Sequence, residues 1–255
     1  MLESAVRAAG DIARKFYGTD FKRWSKEGGS PVTEADLVVD AFLKQTLLAA
    51  HPSYGWLSEE SVDDPSRLTA ERVFVVDPID GTVAFVKNKP HFTICAALVE
   101  KGRPIAACVY NPIAEECFTA VTGGGAHLNG QAIHVSAQDR IEGAHMLGPK
   151  TIFEGWPEME ISSYSSIAYR AVLVAAGRHD AMISLTTKHD WDLAAADLIV
   201  QEAGGLLSDE VGQALIYNTP GATQRVSVAA GPVLHRLLLA RLRQKEDSVL
   251  SFGQA

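Results

Sequence analysis

Apolar residues along the chain recur with two different periods, and those periods divide it into helices and strands. Leu2, Val6, Ala9, Ile12, Ala13 and Phe16 fall at helical spacing with Gly18 behind them, which predicts an amphipathic helix packed on a sheet. Residues 21–26 read as extended. Thr33 is placed to cap a second helix with Asp36 in its first turn, where negative charge suits the dipole. Leu37, Val38, Phe42, Leu43 and Leu47 are that helix's expected buried face. A continuous apolar run at 73–76 reads as a buried strand, expected to stop at Pro78 because proline cannot donate to a ladder. Runs at 92–99 and 104–110 read as a hairpin, and 117–121 as a further strand. Asn129-Gly130 marks a tight turn between 126–128 and 132–135.

The pattern turns polar over 136–142, which divides the chain into an α+β region, 1–138, and an α/β region, 139–255. In the second region strands are expected at 146–150, 182–185, 206–207 and 225–230. Ser165 and Ser166 can cap a helix that runs to 175 and is ended by Gly177. Asp192 opens another helix, closed by Gly204, and Gly231-Pro232 begins a last one with Leu234, Leu237, Leu238 and Leu242 on one face. From about Lys245 the chain reads as loose.

Composition narrows the function. A net charge of −8 over 255 residues argues against general nucleic-acid or membrane-surface binding, and a chain this acidic needs cations to approach a phosphate. Its 3 cysteines, Cys95, Cys108 and Cys117, lack a CxxC spacing and read as buried free thiols. No segment approaches the roughly 18 apolar residues of a membrane span and the N-terminus has no signal-type run, so the expected compartment is the cytoplasm. The 8 histidines show no HExxH spacing, and no Gly-x-Ser-x-Gly elbow is present. The triplet Gly123-Gly124-Gly125 lacks the Gly-Lys-Ser/Thr of a nucleotide P-loop.

Candidate chemistry centres on 73–82, Val-Phe-Val-Val-Asp-Pro-Ile-Asp-Gly-Thr. Asp77 and Asp80 at a strand end are two hard carboxylates on a turn, suited to Mg²⁺, and Gly81 allows close approach of a ligand to the backbone. A polar turn capping the strand explains the same residues equally well. Glu59 and Glu60, taken as a pair, read as solvated charges, while Asp36 and Asp192, taken singly, read as helix caps. Lys150, Lys188 and His189 are cations that could meet a second phosphate but read first as solvated surface.

Taken together, Ser58-Glu59-Glu60, Asp77-Pro-Ile-Asp-Gly-Thr82, the segment 26–36 and Trp191-Asp192-Leu-Ala-Ala-Ala196 through Gly205 stand in an order that resembles the inositol monophosphatase family. The resemblance implies a layered α/β/α/β/α sandwich, a homodimer, and an Mg²⁺-dependent, lithium-sensitive phosphomonoesterase using two or three ions. It implies that Glu59, Asp77 and the Ile79 carbonyl hold one ion, and that Asp77, Asp80 and Asp192 hold another. Thr82 and Asp36 would orient and deprotonate the attacking water. Gly81 and Thr82 would take the phosphate through their amides, with Ser165, Ser166 and Asp192 as further substrate contacts. The implied substrate is a small phosphorylated alcohol, an inositol monophosphate or adenosine 3′,5′-bisphosphate. Histidinol phosphate, a sugar bisphosphate, or a non-catalytic metal-binding scaffold are the alternatives. The Gly28-Gly29-Ser30-Pro-Val-Thr-Glu-Ala-Asp36 spelling is similar to the 3′(2′),5′-bisphosphate nucleotidase branch, and the acid that inositol-specific members carry near Ser184 and Leu185 is missing.

Overall fold

A computed structural model describes residues 1–26 and 31–252. The glycine-rich spelling at 28–30 lies outside the described residues. Two helices, α1 (Leu2–Phe16) and α2 (Glu34–Ala50), open the chain, with a small hairpin of β1 (Arg23–Ser25) and β2 (Pro31–Thr33) between them. Then comes a seven-stranded sheet in sequential order, β3 (Gly55–Ser58), β4 (Arg72–Asp80), β5 (Thr93–Glu100), β6 (Arg103–Asn111), β7 (Glu116–Val121), β8 (Ala126–Leu128) and β9 (Gln131–Ala132). Only β3 and β4 in it run parallel; the other neighbours are antiparallel. A short helix, α3 (Thr82–Val86), follows β4.

The second sheet holds β10 (His145–Leu147), β11 (Glu160–Ser162), β12 (Ala181–Ser184), β14 (Leu206–Ser208) and β16 (Ser227–Ala230), in the order β11-β10-β12-β16-β14. β13 (Lys188–His189) and β15 (Thr223–Gln224) form a separate pair. Helices α4 (Ile167–Ala175) and α5 (Asp190–Glu202) lie between the two sheets, and α6 (Pro232–Phe252) covers the outer face of the second. The layers are therefore α1/α2, first sheet, α4/α5, second sheet and α6, the layered α/β sandwich expected from the sequence. Among the described residues no helix is long and apolar enough to cross a membrane.

The continuous apolar run of β4 follows from this layering. A strand covered on both faces needs apolar residues at every position. Val73 and Val75 pack toward α4 and α5, while Phe74 and Val76 pack toward α1 and α2. A third core joins β12 and β16 to Leu234, Leu238 and Leu242 of α6.

Three expectations need correction. β4 does not stop at Pro78 but continues to Asp80; its register against β5 shifts between Asp77 and Asp80, so the proline falls where the ladder is already irregular. Leu37 and Val38 are 44% and 40% exposed, because α2 turns inward the face carrying Ala35, Asp36, Val39, Asp40, Leu43 and Leu47. Two acids occupy that face, and a search for an apolar stripe passes over them. On α6, Leu237 is exposed and Leu239 buried, since the stripe drifts around the helix and takes in His235, bonded to Ser208. The three cysteines are buried free thiols, and Asn129 and Gly130 both have positive φ, as a two-residue hairpin turn requires.

Candidate active site

Four segments deliver acids to one place. The end of β4 carries Asp77 and Asp80, the first turn of α5 carries Asp192, the first turn of α2 carries Asp36, and the turn after β3 carries Glu59 and Glu60. Carboxylate oxygens of Asp77, Asp80 and Asp192 lie within 4.8 Å of one another. This places Asp192 beside two acids more than a hundred residues earlier in the chain.

Each acid is oriented by its own local structure. Asp77 Oδ1 accepts from the Ile79 amide at 3.0 Å, but Oδ2 is buried with no hydrogen-bond partner among the described residues. Asp80 is met by the N-terminus of α4: Ser166 Oγ donates to it at 2.5 Å and the Ala168 amide at 2.7 Å. Asp192 Oδ2 accepts from the His189 amide at 2.6 Å, as the acid of a helix-capping arrangement. Burial raises Asp77 well above the usual carboxylate range, and the charges of Glu59 and Asp80 push it the same way. Burial and then Asp192 lift Asp80 to about 7, while burial lifts Asp192 to about 6. Two buried carboxylates and the partly exposed Asp192, which repel one another and include one orphaned oxygen, form an all-oxygen donor set that fits a hard divalent cation such as Mg²⁺.

Asp36 stands beside this trio. Its Oδ2 accepts from the Thr33 amide at 2.8 Å and from Thr33 Oγ1 at 2.5 Å, so the capping reading of this residue holds. Its Oδ1 faces Thr82 Oγ1 at 3.4 Å, and the Thr82 hydroxyl is closer to the Ile79 carbonyl, at 3.1 Å. Burial raises Asp36 to about 6. Gly81 adopts φ +93°, and a Cβ there would come within 3.0 Å of the Ser166 amide and 3.1 Å of the His91 carbonyl. Glycine is therefore what lets the β4–α3 turn seat Asp80 on α4.

Glu59 and Glu60 are not a solvated pair. Lys26 Nζ donates to both at 2.7 Å, and the Glu60 side chain is only 4% exposed. Burial pushes Glu60 up to about 7 against the pull of Lys26. The turn is fixed to α2 by Ser58 and Ser61, which both donate to the buried Asp40. Glu59 itself lies outside the trio of Asp77, Asp80 and Asp192.

The remaining candidates separate. Ser166 is fully buried, with its hydroxyl shared among Asp80, Thr93 and the Tyr169 amide, whereas Ser165 is exposed. Lys150 is exposed, and the exposed His189 ring stacks on Trp191. Residues that the sequence did not single out are Lys26, Asp40 and Arg170, the last a buried cation on α4. Lys26 and Asp40 carried a local signal, a charge and an acid flanking recognised motifs. Arg170 sits inside an apolar helical pattern and carried none.

The model of the inositol monophosphatase family matches residues 1–247. The chain is 32% identical over 273 residues to the Nus factor SuhB of Salmonella typhimurium, covering 98% of both chains. It is 32% identical to the inositol-1-monophosphatase of Rhizobium meliloti over 83% of this chain and 85% of that protein. Among solved structures, an IMPase of Thermotoga maritima superposes with a TM-score of 0.84 at 25% identity over 97% of each chain. The suhB protein of Bartonella henselae superposes with a TM-score of 0.80 at 28% identity, over 93% of this chain and 95% of that one. With its layers, its acid cluster and these relatives in agreement, the chain belongs to the inositol monophosphatase family.

Proposed function

We propose that the chain is an Mg²⁺-dependent phosphomonoesterase acting on a small phosphorylated alcohol, an inositol monophosphate or adenosine 3′,5′-bisphosphate. The observation that carries this reading is the orphaned, buried Asp77 Oδ2 at the centre of acids drawn from distant parts of the chain. Asp77, Asp80 and Asp192, with Glu59 and the Ile79 carbonyl, would hold the cations, which would supply charge neutralisation at the phosphate and leaving-group oxygens and a lowered pKa for the attacking water.

The chain's own residues do the rest. Thr82 Oγ1 accepts a hydrogen bond from the water and turns its own hydroxyl proton to Asp36 Oδ1, which is 3.4 Å away. Asp36, lifted to about 6 by burial, takes up the proton as attack proceeds. Gly81 and Thr82 present amides to the phosphate, and the turn is held rigid by the contact of Gly81 with α4. Ser166 serves as the support of Asp80 rather than as a substrate contact. The region 1–138 supplies all of these groups except Asp192 and Ser166, the donor to Asp80, which come from 139–255, so the site sits where the two regions meet.

The test is phosphate release by the full chain from inositol 1-phosphate, adenosine 3′,5′-bisphosphate, histidinol phosphate and fructose 1,6-bisphosphate. Release that stops on chelation and returns with Mg²⁺ is expected. A chain whose melting temperature rises with Mg²⁺ but which frees no phosphate from any of the four is a metal-binding scaffold instead.

A further inference from the structure

Residues 215–224 tie together two parts of the fold that carry different acids of the site. On one side they are bonded to the connections of the first sheet. Arg103 Nη1 donates to the Leu215 carbonyl at 2.8 Å, and the Tyr217 amide donates to the Gly102 carbonyl at 3.0 Å. Gly102 has φ +77°, and a Cβ there would come within 2.9 Å of Ile216, so glycine is what permits this approach. Arg67, on the turn Pro65–Thr69 between β3 and β4, is 1% exposed. Its Nη1 donates to Asn218 Oδ1 at 2.6 Å and to the Thr219 carbonyl at 3.2 Å, while Asp63 accepts from Nε at 2.6 Å and from Nη2 at 2.9 Å.

On the other side the same residues are bonded to α5. The fully buried Asp190 accepts from the Asn218 amide at 2.6 Å and from Gln224 Nε2 at 2.8 Å, and its own amide donates to the Ala222 carbonyl at 2.9 Å. The pairing of β13 with β15 sets His189 opposite Thr223, and the His189 amide is the donor to Asp192 Oδ2. Asn218 is the node of this strap. Its φ of +59° lies in the left-handed region that asparagine tolerates, and its side chain serves Arg67 while its amide serves Asp190. The strap answers an electrostatic problem. Asp192 stands within 4.8 Å of Asp77 and Asp80, and the three like charges tend to part unless the backbone that carries them is held.

We propose that Arg67 and Asn218 are positioning residues for the cation site, because their link fixes the strap, and the strap fixes Asp192 against Asp77 and Asp80 through Asp190 and His189. The inference rests on the reading above only in requiring that these acids bind a cation. With the link intact, binding does not have to order the first turn of α5, and the affinity is higher for it. The coupling runs both ways, so a bound cation steadies the strap in return.

The experiment measures the Mg²⁺ dissociation constant by isothermal titration calorimetry, on the full chain without substrate. Asn218→Gly cuts the side-chain link alone, since glycine adopts positive φ freely and retains the amide that Asp190 accepts. Arg67→Met cuts the same link from the other side. Each is expected to weaken Mg²⁺ about tenfold, the lower end of the range for groups that orient metal ligands. The double variant should be weaker than either single by no more than about twofold, because both remove one interaction. Leu238→Ala, in the core beneath α6, is the control: its melting temperature should fall while its Mg²⁺ dissociation constant stays within about twofold of the wild type. In the wild type, Mg²⁺ should slow hydrogen exchange of the Asn218 and Asp190 amides. Asn218→Gly decides the matter alone if Arg67→Met fails to fold. Unchanged Mg²⁺ affinity in Asn218→Gly, or an equal weakening in Leu238→Ala, would overturn the proposal. A wild type that binds Mg²⁺ through the strap but frees no phosphate would remove the hydrolase reading and leave this one standing. One that binds no Mg²⁺ would remove both.

Discussion

Ser166 Oγ donates to Asp80 Oδ2 at 2.5 Å and so joins the end of β4 to the start of α4, across 86 positions of sequence. The same oxygen accepts from the Tyr169 amide as the cap of α4. Ser166→Ala should therefore remove a cap and a buried donor together, for a loss of about 2–3 kcal/mol. Urea denaturation at neutral pH measures it; a loss below about 0.5 kcal/mol would show that the contact contributes little.

Lys26 holds a nearly buried carboxylate, and its removal should reveal that by pH. Glu60 has a folded pKa of about 7 even with Lys26 beside it, against an ordinary 4.5. In Lys26→Met the unpaired charge should cost about 2–4 kcal/mol at pH 8. Below about pH 6 Glu60 binds a proton in the folded state, so the loss should shrink there. Adding Glu60→Gln should recover most of the stability at pH 8. A loss that does not vary with pH would count against the pairing.

Asp77→Asn tests the centre of the acid cluster. With a neutral amide in place of the carboxylate, Mg²⁺-dependent phosphate release should fall to background while the circular dichroism spectrum stays unchanged. The wild type should gain about 2.7 kcal/mol of stability at a Mg²⁺ concentration of 100 Kd. The variant should gain much less at that concentration. Turnover retained by Asp77→Asn would contradict the role given to this residue.

Thr82→Ala separates proton handling from binding. The hydroxyl between Asp36 and Ile79 is proposed to act only as the water is attacked, so kcat should fall about 10²–10⁴-fold with KM nearly constant. Steady-state kinetics on the best substrate measures both. A rise in KM with kcat preserved would reassign Thr82 to ground-state binding.

Asp197 provides a pH effect away from the site. It is fully buried on α5, accepts from Gln201 and Tyr217, and is raised by burial from 3.8 to about 6. Between those values the folded state binds more protons than the unfolded one. Stability is therefore lost as pH rises from about 4 to about 6 and is level above that. Asp197→Asn removes this contribution, so its stability relative to wild type should improve by up to about 3 kcal/mol across that window. Chemical denaturation at pH 4, 5, 6 and 7 follows it, and parallel curves for the two proteins would refute it.

Much of the fold was legible in the sequence because burial leaves a periodic trace. The two-faced run of β4, the Asn129-Gly130 hairpin and the capped start of α2 at Thr33 all follow from neighbours a few residues apart. The misplaced face of α2 has a different cause. Leu37 and Val38 were expected inside, yet α2 turns Asp36 and Asp40 inward instead, because those acids have partners on Thr33, Ser58 and Ser61. A buried acid has no signature until its donors are known.

The order of the motifs determined the family and named Asp77, Asp80, Asp192, Asp36 and Thr82 as candidates. Only the tertiary structure decided what each stands against. It set Lys26 between Glu59 and Glu60, put Ser166 beneath Asp80, and buried Arg170 on α4 within reach of the charges of Asp80 and Asp192. The reason is physical: periodicity reports how far a residue lies from water, while charge pairing depends on which oxygen comes within about 3 Å of which proton. Contacts at that range join segments whose separation along the chain carries no trace of their meeting.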